Sequence, residues 1–255
     1  MLCQWSGMIA TGVAGPLRLR FGAPRDLLLG ITMVRADGTI ARAGGKVVKN
    51  VAGFDLPKLA VGSLGTLFGI VEATLRVYPI PAAREGVAYA LPSADALAAA
   101  ARAFVAQRLE PETFAVYDGR TLTVDFAGTP SGVAAQTAAA DALLRALGAT
   151  PTAPPATTLE GRAWRARLTA PPAATPAGEI AYPLLGIALR ASDASLDVAA
   201  LRRGANAVVH ALPLASRAEV DVWGPLPPSF PLMRAMKTNF DPHGLCNPGR
   251  FIGGL

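Results

Sequence analysis

From Val71 to Tyr78 apolar and polar positions alternate one for one, with Val71, Ala73, Leu75 and Val77 set against Glu72, Thr74, Arg76 and Tyr78. A period of two belongs to a strand with one buried face, so a strand is expected here with those four apolar side chains inward. A second extended run, Leu27 to Val34, is followed by Arg35-Ala36-Asp37-Gly38 and then by Thr39 to Ala43. Asp-Gly between β-rich runs predicts a hairpin.

Around these strands glycine sets the pattern. Gly7, Gly12, Gly15 and Gly22 recur too often for a helix or an ordinary strand, so residues 1–26 are expected to form a loop that turns repeatedly. Gly62, Gly65 and Gly69 punctuate VGSLGTLFGIV, where main chain is free to take positive φ and to approach a flat or phosphorylated ligand closely. Ahead of them Asp55 is expected to cap a short helix, DLPKLAV, with Pro57 in its first turn. Lys49 and Asn50 precede it, the lysine a candidate partner for phosphate or carboxylate. Neither a GxGxxG run after a strand nor a GxxxxGK[ST] loop is present, which excludes the Rossmann and P-loop readings.

Pro79 and Pro81 mark a boundary, and the order of elements then changes. A strand (86–91), a helix (93–107, Ser93 as N-cap), a strand (113–117), an Asp118-Gly119 turn, a strand (121–126) and a helix (132–147) are followed by strands near 181–190 and 205–212. This β-α-β-β-α-β succession predicts a ferredoxin-like α+β unit. Residues 150–155 and 170–176, rich in Pro, Ala and Thr, read as connectors. Trp164, among Arg162, Arg165 and Arg167, reads as a partly buried helix anchor, or as an aromatic platform near an anion. In the tail a short helix is expected from Ser229, with Leu232, Met233, Met236 and Phe240 on its apolar side, stopped by Asp241-Pro242 and followed by an Asn247-Pro248-Gly249-Arg250 turn.

Composition narrows the function classes. With 255 residues, 51% of them hydrophobic, the chain can bury a sizeable core. Its net charge of +6 comes from scattered arginines rather than basic runs with interleaved aromatics, which excludes a nucleic-acid face and favours anionic ligands or an acidic partner. Cys3 and Cys246 lie at opposite ends with no CxxC, pointing to a reducing compartment. No apolar run approaches the roughly 18 residues of a membrane span, so a cytoplasmic location is expected. His210 and His243 form no HxH or HxxxH pair; no metal site is expected and no catalytic base can be named.

KNVAGFDLPKLAVGSLGTLFGIVEATLRVYPIP and the closing DPHGLCNPGRF together resemble the vanillyl-alcohol-oxidase (PCMH-type) FAD-binding family, in the 2-hydroxy-acid dehydrogenase branch that includes the FAD-binding subunits of glycolate oxidase. Phe54 in place of the family's Tyr, and Phe68 before Gly69, are small departures. The resemblance implies an α+β protein: part of a PCMH-type FAD-binding domain (1–81), a ferredoxin-like cap (82–228) and a segment returning to the flavin domain (229–255). It implies non-covalent FAD, held by Gly7, Met8, Ile9, Ala10, Thr11, Gly12 and Gly15, by Gly62, Gly65, Gly69, Ile70 and Val71, and by Asn247 and Arg250. Thr11 would donate its hydroxyl, and Arg250 would favour the anionic reduced ring.

On this resemblance the chain is the FAD-binding subunit of a glycolate oxidase complex, taking a small 2-hydroxy acid as substrate. Its partners would be a sister flavoprotein and an iron–sulfur subunit, with any membrane contact made through them. A free-standing D-lactate-like dehydrogenase and a non-catalytic assembly module remain open. The family's N-terminal FAD subdomain has no counterpart before Gly7, so the chain is expected to begin inside the flavin domain, with an apolar strand face uncovered.

Overall fold

The computed structural model describes residues 5–47, 54–156, 159, 161–172, 175 and 178–255. Lys49 and Asn50 lie outside these. The chain divides into two compact units, Met1–Pro79 with Pro225–Leu255, and Ile80–Gly224.

The first unit opens with three short helices, α1 (Trp5–Thr11), α2 (Arg18–Phe21) and α3 (Pro24–Leu27). This corrects the loop expected over 1–26. A helical Gly7 costs about 1 kcal/mol, but Ile9 is 0% exposed in the core, and its burial offsets that cost. Gly12, at φ +65°, ends α1 in the left-handed conformation glycine accepts. The hairpin follows as β1 (Leu28–Val34) and β2 (Ile40–Gly44), antiparallel, with Gly38 at φ +81° in the reversal. The one-turn helix α4 (Pro57–Ala60) has Leu56, not Asp55, at its N-cap and no side-chain cap.

Strand β3 (Gly69–Leu75) completes a sheet of order β2-β1-β3. It starts and ends earlier than expected; Ala73 and Leu75 face inward as expected, but the phase changes at Val71. Thr32 pairs with Glu72 but Met33 pairs with Ile70, so Val71 is the extra residue of a bulge. Ile70, Ala73 and Leu75 therefore pack on the core of Ile9, Leu28, Ile31, Met33, Ala60 and Phe68, while Val71 is 67% exposed and Val77 lies exposed beyond the strand.

The second unit carries β4 (Ala83–Ala90), α5 (Ala94–Ala106), β5 (Thr113–Tyr117), β6 (Thr121–Gly128), α6 (Pro130–Ala146) and β7 (Thr150–Pro151). Ser93 caps α5 by accepting from the Ala96 amide, as expected, and Thr129 does the same for α6 at Gly132. The lateral order β5-β6-β4-β7, antiparallel throughout, is that of a ferredoxin-like unit. Its last strand is the short β7, inside the expected connector, rather than 181–190. Phe104 and Phe114 meet edge to face at 5.1 Å in its core.

Further strands β8 (Trp164–Thr169), β9 (Ile180–Tyr182), β10 (Ile187–Ser192) and β11 (Asn206–Ala211) widen this into an eight-stranded sheet, with a helix α7 (Val198–Gly204) beside β11. The span 181–190 is two strands, split by a tight turn at Pro183–Leu185. Gly186 there has φ +65°, and a Cβ on it would overlap the Ala170 carbonyl. Trp164 anchors a strand, not a helix: Trp164, Ala166 and Leu168 are buried and alternate with Arg165, Arg167 and Thr169.

The chain returns to the first unit as α8 (Phe230–Phe240), ended by Asp241. Ser229 is the N-cap residue but makes no side-chain cap, and Leu232 is exposed rather than packed. Phe240 packs on Phe68 with the rings tilted at 59° and their centroids 5.6 Å apart, which fixes the C-terminal end of α8 to the core. Among the described residues no helix is long and apolar enough to cross a membrane.

Candidate functional site

Three stretches far apart in sequence meet in the first unit: the end of α1, the glycine loop 61–66, and the turn after α8. On its N–H side the loop is held by α1. Gly62 N donates to Ile9 O (3.1 Å) and Leu64 N to Ala10 O (2.8 Å), while the Ser63, Gly65 and Thr66 amides bond to Ala60 O, Ser63 Oγ and Ser63 O. A Cβ on Gly12 would come to 3.3 Å from Gly62 N, so the two main chains lie in contact. Leu64 and Gly65 are both left-handed, at φ +54° and +69°. The amides of 62–66 are thus engaged within the protein, and the loop offers a bare surface rather than a set of donors.

On its carbonyl side the loop is held by the tail. The Lys237 ammonium, one turn from the end of α8, donates to Thr66 O (2.8 Å), Cys246 O (2.9 Å) and Asp241 Oδ2 (2.5 Å). Asn247 Nδ2 donates to Leu64 O at 2.7 Å. Asp241, 2% exposed, also accepts from the Leu245 and Cys246 amides at 2.9 and 2.7 Å. Burial pushes its carboxyl up, but the Lys237 ammonium and the Cys246 and Leu245 amides more than reverse this, holding it at about 2. Burial and the Asp241 carboxylate raise the Cys246 thiol, keeping it protonated.

The structure thus brings Ile9, Ala10, Gly12, Gly62, Gly65 and Asn247 together. Gly7 and Met8 are in the same helix, and their carbonyls accept the Thr11 hydroxyl at 2.8 and 3.2 Å, so that hydrogen bond stays inside α1 instead of reaching outward. Ile9 contributes backbone only, its side chain being core. Gly15 follows α1 with open space at its Cβ position, as has Gly62. Gly69, Ile70 and Val71 lie on β3, and only Val71 points away from the core. Arg250 is exposed; its amide donates to Asn247 O at 3.3 Å, and its side chain makes no hydrogen bond or ion pair among the described residues. His243 is exposed in the turn after α8, and His210 is exposed on the edge strand β11. No cluster of three metal-ligating side chains occurs among the described residues. Sequence reasoning missed Lys237, Asp241, Ser63 and Thr66; the Lys and Asp four apart at a helix end were the available signal.

A family model described as FAD linked oxidases, C-terminal domain, matches residues 227–251, which is α8 with its following turn. Glycolate oxidase subunit GlcE of Escherichia coli is 47% identical over 79 residues, 31% of this chain and 23% of that protein. Over these stretches the chain is similar to FAD-linked oxidases of the glycolate-oxidase type. Glycolate oxidase subunit GlcD of Bacillus subtilis is 38% identical over 112 residues, 44% of this chain and 24% of that protein. The aligned part thus spans about a quarter of the length of each of these two relatives. A solved alkyldihydroxyacetonephosphate synthase superposes with a TM-score of 0.63 at 15% identity, covering 96% of this chain and 58% of that one, a likeness of fold. The family match coincides with the clasp, because Lys237, Asp241 and Asn247 all lie within 227–251.

Proposed function

We propose that the first unit forms one wall of a flavin site, and that the chain is the FAD-carrying part of a glycolate-oxidising enzyme that works with partner subunits. The observation that carries this is the meeting of Gly12, Gly62 and Gly65, three positions without side chains, at a junction rigidly hydrogen-bonded from both sides. Bare main chain beside open space at Gly62 and Gly15 fits a flat ring or an extended dinucleotide lying against it. The fit is that of a surface, since the loop amides are engaged.

FAD, when bound, supplies the acceptor for a hydride from the α-carbon of a 2-hydroxy acid. The chain's own part is to hold and orient. Gly12, Gly62 and Gly65 permit close approach, Ile9 and Phe68 keep the wall anchored in the core, and Arg250, three residues beyond Asn247, offers an unengaged cation to the cofactor's anionic portion. The similarity to subunits named for glycolate oxidase supports glycolate as substrate and a heteromeric assembly.

The test is a titration of the purified chain with FAD, followed by visible absorption and flavin fluorescence, and then by anaerobic addition of glycolate. Saturable binding near one equivalent, weakened at least tenfold by Gly62→Val, is expected. Binding that Gly62→Val leaves unchanged would remove this wall from the site, and no uptake of FAD would overturn the reading for the chain by itself.

A further inference from the structure

We propose that Lys237 is the positioning residue of the glycine loop, holding Gly62–Thr66 in shape from the far end of the chain. The inference deepens the flavin reading and rests on it for its functional consequence.

Lys237 is not available as a cation for a ligand. An ammonium has three N–H donors, and all three have acceptors, at 2.5, 2.8 and 2.9 Å. Its charge is matched by Asp241, whose side chain is fully buried. What the pair does is satisfy main chain. The Thr66 carbonyl belongs to a residue only 2% exposed, so it would otherwise stand in the interior with water largely excluded. The same ammonium holds Cys246 O, next to Asn247, whose amide secures the Leu64 carbonyl.

The loop's internal hydrogen bonds fix only part of this geometry. Leu64 carries a side chain at φ +54°, a conformation disfavoured for a residue with a Cβ, which persists only where surroundings over-determine it. The α1 carbonyls fix one side of the loop and the Lys237–Asn247 pair fixes the other. When the tail undocks, Thr66 O and Leu64 O lose their partners together, and the open flank at Gly62 loses its shape. Flavin affinity is then linked to tail docking, because only the docked state presents the wall.

The experiment compares the full chain with Lys237→Met, Asp241→Asn and Arg250→Met by amide hydrogen exchange and by FAD titration. In Lys237→Met, exchange at Leu64, Thr66 and Cys246 is expected to rise tenfold or more, with Phe114 and Leu122 of the second unit unchanged and FAD affinity down at least tenfold. Asp241→Asn, the milder change, gives the same local pattern at smaller amplitude and reports on the clasp if Lys237→Met does not fold. Arg250→Met weakens FAD binding without altering loop exchange. Unchanged loop exchange in Lys237→Met, or a rise spread evenly over both units, overturns the positioning role. If the variants show the local pattern but the parent chain takes up no FAD, the positioning role stands and the flavin reading fails.

Discussion

Asn247 donates its side-chain amide to the Leu64 carbonyl at 2.7 Å across 183 positions of sequence, and both residues have positive φ, +39° and +54°. Two strained backbones are therefore joined by one hydrogen bond. Each is disfavoured for a residue with a Cβ, Leu more so than Asn. The tail turn and the glycine loop stabilise each other's unfavourable geometry, and either would relax if released.

The first prediction follows from separating the two contributions of Asn247. Replacement by Ala removes the hydrogen bond and keeps the backbone cost, and should destabilise the first unit by about 2 kcal/mol. Replacement by Gly removes the bond but relieves the backbone, for a loss of about 1 kcal/mol. Urea unfolding read by exchange of the Ile31 and Met33 amides measures both; a Gly variant as unstable as the Ala variant would contradict the role given to φ.

Asp241 makes the first unit acid-sensitive. Its folded value of about 2 lies below that of an unfolded aspartate, about 3.9. A depressed carboxyl contributes stability that is complete above the unfolded value and is lost as pH falls through the folded one. That contribution, about 2 kcal/mol, should fade between pH 4 and 2. The urea midpoint of the parent chain should fall over that window more steeply than that of Asp241→Asn. Parallel slopes would assign the acid sensitivity elsewhere.

Two glycines of the hairpin should respond very differently to alanine. Gly38, at φ +81°, faces open space, so Gly38→Ala carries only the backbone cost, about 1 kcal/mol. Gly44, at φ +75°, lies against β1, where a Cβ would overlap the Leu29 carbonyl and reach 2.8 Å from Gly30 Cα. Gly44→Ala should cost roughly 3 kcal/mol or more, because backbone on both sides must move. Thermal unfolding compares the pair, and equal losses would rule out close packing at Gly44.

Much of the fold was legible because its signals are local. Asp37-Gly38 marked the hairpin, Ser93 marked the start of α5, and the succession of elements after Arg84 pointed to the ferredoxin-like order. Long-range effects were not legible. Ile9 overrides the glycine content of α1 only once the core exists, and the bulge at Val71 turns Ile70 inward and Val71 outward through pairing with β1, while Ala73 and Leu75 keep the expected face. The alternation of Trp164, Ala166 and Leu168 with Arg165, Arg167 and Thr169 was a readable strand signal, obscured by the clustered arginines. Of the site, the glycines were visible as glycines. Lys237 was not, because two of its three acceptors are main-chain carbonyls, which every residue has.

The clasp also imposes an order on synthesis. Lys237 follows Thr66 by 171 positions, and the whole second unit lies between them. At about 5–20 residues per second, a ribosome makes Lys237 roughly 10–30 s after Thr66. Throughout that interval the nascent glycine loop has α1 on one side and nothing on the other, and by its end residues 80–224 have all their strands. The glycine junction is thus finished after the second unit, and a ribosome that stalls between Gly224 and Lys237 leaves a chain with its second unit complete and its glycine loop undocked.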